Sequence, residues 1–227
     1  MRILFLLLIS SAAWAQPAIF TAGKAKNVMQ GIDLSANISL DTLAAPGLYG
    51  LGPMDDLQGE ITIINGEVHV SEVVNGQINS YVSSQVKAPF FVYAYVELWE
   101  EVEMEVNWQS LSDLQQTIEE LAAERGWQAP FPFMIQGEMD FILYHIIMRD
   151  LNEKSHSHEA HQQSKVMFED VASPYQLMGF FSRNHEGVFT HKGQYVHVHL
   201  FRESDGLNAH LDDVKRQGKV TLLVPLN

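Results

Sequence analysis

Short runs of alternating apolar and polar residues dominate the chain, broken every few positions by Gly, Pro or Asn. Such period-two patterning predicts strands, because successive side chains of an extended chain face opposite ways. Ile61-Thr62-Ile63-Ile64 and Val68-His69-Val70 flank Asn65-Gly66. Both residues of that dipeptide tolerate positive φ, so a type I′ turn and a hairpin are expected there. Ala88 to Val96 is a nearly continuous apolar and aromatic run, the pattern of a strand buried on both faces. From Glu101 to Val106 alternation returns, placing Val102, Met104 and Val106 inward and Glu101, Glu103 and Glu105 on a solvated face rather than around a cation.

One stretch changes period. Leu114, Ile118, Leu121 and Ala122 recur at helical spacing, Ser112 and Gln115 stand at capping-box spacing before them, and Gly126 supplies a stop after Arg125. A weaker helix is expected from Gly23 to Met29. Few helices among many strands predict a strand-rich α+β fold, with two sheet-containing lobes sharing a core and the helices packed on one side.

Composition narrows the setting. Residues 1–15 carry one charge at Arg2, an apolar run from Ile3 to Ile9 and the small-residue ending Ala13-Trp14-Ala15. This reads as a secretory signal peptide cleaved near Ala15-Gln16, because a membrane span needs about 20 apolar residues. Residues 16–227 are then expected to form a single exported domain, periplasmic or extracellular, with no membrane span. The chain has no cysteine. Its core must hold it without disulfides, and any transition metal must be bound through His, Asp or Glu. The formal net charge of −14, one unit more negative without Arg2, repels phosphate backbones and argues against nucleic acid as a partner.

Candidate chemistry concentrates late in the chain. In Gln194-Tyr-Val-His-Val-His-Leu-Phe201, His197 and His199 lie two apart on a predicted strand and share a face. Glu203-Ser204-Asp205-Gly206 supplies turn chemistry, so His210 returns beside them across a hairpin. Three neutral imidazoles suit Zn²⁺ or another divalent transition metal and leave a coordination position open, as catalytic sites do. The competing reading is an edge strand whose histidines face solvent. Lys154 to Lys165, with His156, His158 and His161, lacks apolar residues and reads as a mobile surface loop, an insertion outside the site. Pro46 to Glu60 is glycine-rich and by itself reads as a turn leading into a strand.

Taken together, Gly50-Leu51-Gly52, Leu57-Gln58-Gly59-Glu60, Pro89-Phe90-Phe91-Val92, Gly179-Phe180-Phe181, and His197-Val198-His199 with His210 resemble the α-acetolactate decarboxylase family in order and spacing, from about Val28 to His210. The resemblance implies zinc ligands at His197, His199 and His210 and an active-site carboxylate at Glu60. It implies decarboxylation of (2S)-2-acetolactate to acetoin with no organic cofactor, the metal spreading the charge of an enediolate and a carboxylate relaying the proton. Two family features are unmatched. Gln136 falls where an arginine is expected, with Arg149 and Arg202 as candidate replacements, although Arg202 lies three beyond His199 and points to the other face. A late glutamate is also missing, with Asp212 or Asp213 as stand-ins. The alternative is a divergent member that keeps the metal but acts on another hydroxy-keto acid or only binds a small ligand. In either case the partner is a small hydroxy-keto acid, and a homodimer is left open. A cupin reading of His197-x-His199-x-x-x-Glu203 fails because His210 follows too soon for a further strand pair.

Overall fold

The computed structural model describes residues 16–153, 156–191 and 193–226, so the expected export signal at residues 1–15 lies outside the described residues. In chain order the strands are β1 (Ile19–Ala22), β2 (Ile38–Ser39), β3 (Leu48–Pro53), β4 (Glu60–Ile64), β5 (Glu67–Val74), β6 (Gln77–Val82), β7 (Lys87–Ala88), β8 (Phe91–Tyr95), β9 (Trp99–Trp108), β10 (Phe131–Ile147), β11 (Lys165–Phe181), β12 (Val196–Arg202) and β13 (Leu207–Pro225). The helices are α1 (Ala25–Met29), α2 (Leu111–Arg125) and α3 (His158–Gln163). This is the expected strand-rich α+β fold. No helix among the described residues is long and apolar enough to cross a membrane.

Two main sheets carry the fold. One has the order β1-β8-β3-β4-β5-β6; the other runs β10-β11-β12-β13-β9 and closes on itself because β10 also pairs with β13. The sheets share a core in which Tyr49, Leu51, Phe90 and Val92 of the first half pack with Met134, Met178, Phe180 and Leu223 of the second. Burial of these large side chains is the main source of stability, at roughly 1.5–3 kcal/mol for each fully buried one.

The β4–β5 hairpin turns at Asn65 and Gly66, with φ of 50° and 87°, as the dipeptide predicts. Gly50 and Gly52 have another use. A Cβ at Gly50 would lie 2.6 Å from the Phe91 ring and one at Gly52 would lie 2.4 Å from the Phe90 carbonyl oxygen, so bare backbone lets β3 lie close to the Phe90-Phe91 segment. On β9, Val106 is buried, Val102 and Met104 are half-buried, and Glu101, Glu103 and Glu105 face water, as the alternation predicts.

Three expectations need correction. The Ala88 to Val96 run is two strands, β7 and β8, broken at Pro89-Phe90, and Tyr95 is exposed. Pro89 has no N–H to give to a ladder, which accounts for the break. The α2 helix spans the expected residues and ends at Gly126 with φ 68°, but Ser112 and Gln115 form no capping box. Its Leu111 N–H is instead taken by Asp213 Oδ1 at 2.7 Å, while Gln115 Oε1 accepts from Tyr195 N at 2.7 Å. The third correction concerns the histidine-rich tract. Ser157 caps α3 by accepting from Ala160 N at 3.1 Å, and His161 on that helix is buried. A helix this short can bury one polar ring without any apolar stripe, which is why composition alone suggested a surface loop.

Candidate functional site

Strand register assembles the site. His199 on β12 stands opposite His210 on β13, and His210 stands opposite His145 on β10. Directly opposed residues share a face, so the three rings line up across three strands, with His197 two residues along β12 on the same side. Ring centroids of His197, His199 and His210 lie 5.4, 4.9 and 5.5 Å apart pairwise. His145 stacks obliquely on His210 at 4.6 Å. His191, from the segment before β12, approaches His197 and His210 at 5.7 and 5.3 Å. The structure therefore brings together the three histidines singled out in the sequence and adds His145 and His191, which the sequence did not signal.

The first sheet contributes β4 to the same place. Glu60 and Thr62, two residues apart, are both buried beneath the histidines. Thr62 Oγ1 lies 3.0 Å from His199 Nδ1 and donates to Asn208 Oδ1 at 3.2 Å. Having only one proton, which goes to Asn208, the threonine oxygen must accept from His199. That fixes the proton on Nδ1 and leaves Nε2 as a bare lone pair. Asn208 is fixed in turn, donating through Nδ2 and its backbone N–H to Ser71 Oγ at 3.0 Å each. His199 Nε2 is buried without a hydrogen-bond partner, 3.6 Å from Glu60 Oε2.

These atoms suit a divalent cation. His197 Nε2 and His210 Nδ1 face each other at 3.1 Å, near the separation of about 3.3 Å that two nitrogens at ~2.0–2.1 Å keep around a tetrahedral ion. One nitrogen each of His191, His197 and His210 lies within 4.8 Å of the others, and so do donors of His145, His210 and Asp212; the expected trio of His197, His199 and His210 does not converge this closely, His191 standing where His199 was expected. An unpartnered buried nitrogen costs stability unless something binds it, which a metal does.

Burial sets the charge states. It pushes His161 and His199 down to about 3 and His191 to about 4. His197 and His210 are held well below the usual histidine value for the same reason, reinforced by neighbouring histidines. All are neutral donors at neutral pH, the form a metal needs. Glu60 is pushed up to about 8 by burial, opposed by the Ile147 N–H, which donates to its Oε1 at 3.3 Å, and by the charge of Lys165.

A small cavity of about 50 Å³ opens onto this cluster. Its polar lining is Glu60, His145, His161, His191, His197, His210 and Lys165, and its apolar lining includes Val28, Met29, Phe90 and Ile147. Phe90 stacks on His197 at 5.9 Å and 11°. The histidine tract thus belongs to the cavity wall, contrary to its expected place outside the site. Gln136 does not belong there: it is exposed and lines a surface groove with Tyr175 and Arg202. Arg202 turns away to Asp170 and Asp205, both at 2.7 Å, as its strand position predicts. Arg149 donates to the Glu153 carbonyl at 3.0 Å and is outside the lining. Of the two candidate acids, Asp213 caps α2, whereas Asp212 Oδ2 meets His145 Nδ1 at 2.5 Å.

The family model described as alpha-acetolactate decarboxylase matches residues 19–224. The chain belongs to that family. The fold agrees: the alpha-acetolactate decarboxylase of Bacillus subtilis strain 168 superposes with a TM-score of 0.72 at 14% identity, covering 92% of this chain and 86% of that one. A Staphylococcus aureus protein of unknown function similar to alpha-acetolactate decarboxylase gives 0.71 at 12% identity over the same shares. No curated protein matches significantly in sequence. Family membership supports a decarboxylase of acetolactate type.

Proposed function

We propose that this protein is a zinc-dependent decarboxylase that converts (2S)-2-acetolactate to acetoin, with His197, His199 and His210 holding the ion and Glu60 moving the proton. The observation that carries the reading is the buried Glu60 carboxyl, which lines the cavity with His197 and His210 and lies 3.6 Å from the unpartnered His199 Nε2 behind them. A divalent ion held there supplies Lewis acidity toward the oxygens of a hydroxyketone when the carboxylate is lost.

The chain's own residues do the rest. Thr62 and Asn208 hold His199 in one tautomer, and His145 is oriented by Asp212. Phe90, Val28 and Ile147 keep bulk water from the reacting carbon. Glu60, buried and held by the Ile147 N–H, stands where it can relay a proton to the carbon that loses CO₂. Export through residues 1–15 is part of the proposal, and N-terminal sequencing of the secreted protein should find Gln16 first.

The experiment is elemental analysis of purified protein together with acetoin formation from racemic acetolactate. About one zinc per chain and turnover abolished by a chelator and restored by zinc are expected. Bound metal with no acetoin would select the second reading, a relative that takes another hydroxy-keto acid. That reading draws support from His191, a further donor within reach of the cluster.

A further inference from the structure

A 2-hydroxy-3-oxo acid enters as an anion, yet the polar wall of the cavity is made of one buried carboxyl, five histidines and a single lysine. The ion of the proposed reading takes the oxygens of the hydroxyketone, so the carboxylate needs a cation of its own to enter buried surroundings. The guanidinium groups raised by the sequence do not provide one, since Arg202 is paired with Asp170 and Asp205 and Arg149 lies outside the lining. Lys165 is the one Lys or Arg among the described residues that line the cavity.

We propose that Lys165 binds the substrate's carboxylate, with Asp212 as the residue that aims it. Lys165 opens β11 directly opposite Ile147 on β10, and Ile147 donates its N–H to Glu60. Cation and proton donor therefore flank the same residue. The Lys165 side chain is only 18% exposed, and its ammonium reaches Asp212 Oδ1 at 3.4 Å. That is a long contact for a charge-assisted hydrogen bond, and an ammonium has three donors, so two remain to receive an anion. Asp212 is held on its other side by His145, which keeps the pair from swinging out to solvent.

This assignment rests on the decarboxylase reading and adds the substrate's docking direction to it. With the carboxylate on Lys165, the bond from that carboxylate to the hydroxyl-bearing carbon breaks and CO₂ leaves neutral. The electron pair stays on that carbon and delocalises onto the adjoining ketone. One proton, from Glu60, then goes to carbon to complete the hydroxyketone, and water returns a proton to Glu60. The product carries no charge for Lys165 to hold, so release follows from the reaction itself.

The test uses full-length, zinc-loaded protein and two unreactive probes. One is 2,3-dihydroxy-2-methylbutanoate, which keeps the carboxylate but has no ketone to accept electrons; the other is butane-2,3-diol, which lacks the carboxylate. Calorimetry should show Lys165→Met weakening the acid by at least ~10-fold while leaving diol affinity and zinc content unchanged. Lys165→Arg should recover most of the acid affinity. With acetolactate, KM should rise more than kcat falls, because a ground-state contact is lost. Should Lys165→Met fail to fold, Lys165→Gln, which keeps a hydrogen bond to Asp212 without the charge, serves for the same two probes. Unchanged acid affinity, or equal weakening of acid and diol, would overturn the assignment. Wild type that binds the acid through Lys165 but makes no acetoin would leave this anion site standing and remove the decarboxylase reading instead.

Discussion

At the scale of single residues, the site depends on a threonine that touches no substrate. Because its one proton goes to Asn208, Thr62 accepts from His199 Nδ1 and leaves Nε2 free. Thr62→Val keeps the shape but removes the acceptor, so His199 can adopt the wrong tautomer. Zinc affinity measured by chelator competition should fall ~10–100-fold, the usual effect of losing such an outer hydrogen bond, with the fold intact. An affinity within two-fold of wild type would show that His199 does not ligate through Nε2. Glu60→Gln separates binding from chemistry in a different way. It removes a transferable proton at constant size, so zinc should stay and acetoin formation should drop by ~100-fold or more. Strand alternation and the family pattern together marked His197, His199 and His210 as candidates, and the family pattern alone marked Glu60. His145 and Lys165 were not marked, since a lone histidine in Phe141 to Ile147 and a lone lysine at a strand start look like any others until the register of β10, β11 and β13 is known.

Between elements, the geometry of the histidine strand is set by what lies behind it. Gly179 on β11 pairs with Phe133 of β10 on one side and Val198 of β12 on the other. A Cβ at Gly179 would lie 2.3 Å from Phe133 Cζ, so the ring fills the space over the bare backbone. Gly179→Ala must push Phe133 or bend β12 between His197 and His199. A loss of about 1–3 kcal/mol, typical of overpacking, is expected in denaturant unfolding, together with weaker zinc binding. Full stability in that variant would mean that the ring rotates away freely and that β12 is positioned by other contacts. The sequence marked Gly179 through its resemblance, but the reason is a cross-strand aromatic that only the β10–β11 register reveals. The same holds for α2, whose limits followed from periodicity while its cap came from Asp213, over a hundred residues away. It holds for α3 too, where burial of one polar ring is invisible to a pattern built on apolar positions.

For the whole molecule, the site is a cost to the metal-free fold with a defined pH signature. His145, His161, His191, His197, His199 and His210 all have folded-state values lowered from 6.5. As pH falls through about 6.5 the unfolded chain takes up protons that the folded chain refuses, so each histidine removes stability on acidification. Glu60 acts in the opposite sense. Its folded value of about 8 lies above 4.5, so protonated Glu60 stabilises the fold at low pH and that contribution is lost as pH rises from 4.5 to about 8. Between 4.5 and 6.5 six histidines oppose one glutamate, and stability rises with pH; above 6.5 only the Glu60 effect of the two remains, and stability declines gently. The Tm of chelator-treated protein should therefore peak near neutral pH and fall steeply toward pH 4.5. Zinc should lift the curve by a similar amount from pH 5 to neutrality, because the folded ligands are already neutral over that range. A metal-free Tm that held steady or rose from pH 6.5 to 5 would mean the histidine cluster is hydrated and open rather than buried around one cavity.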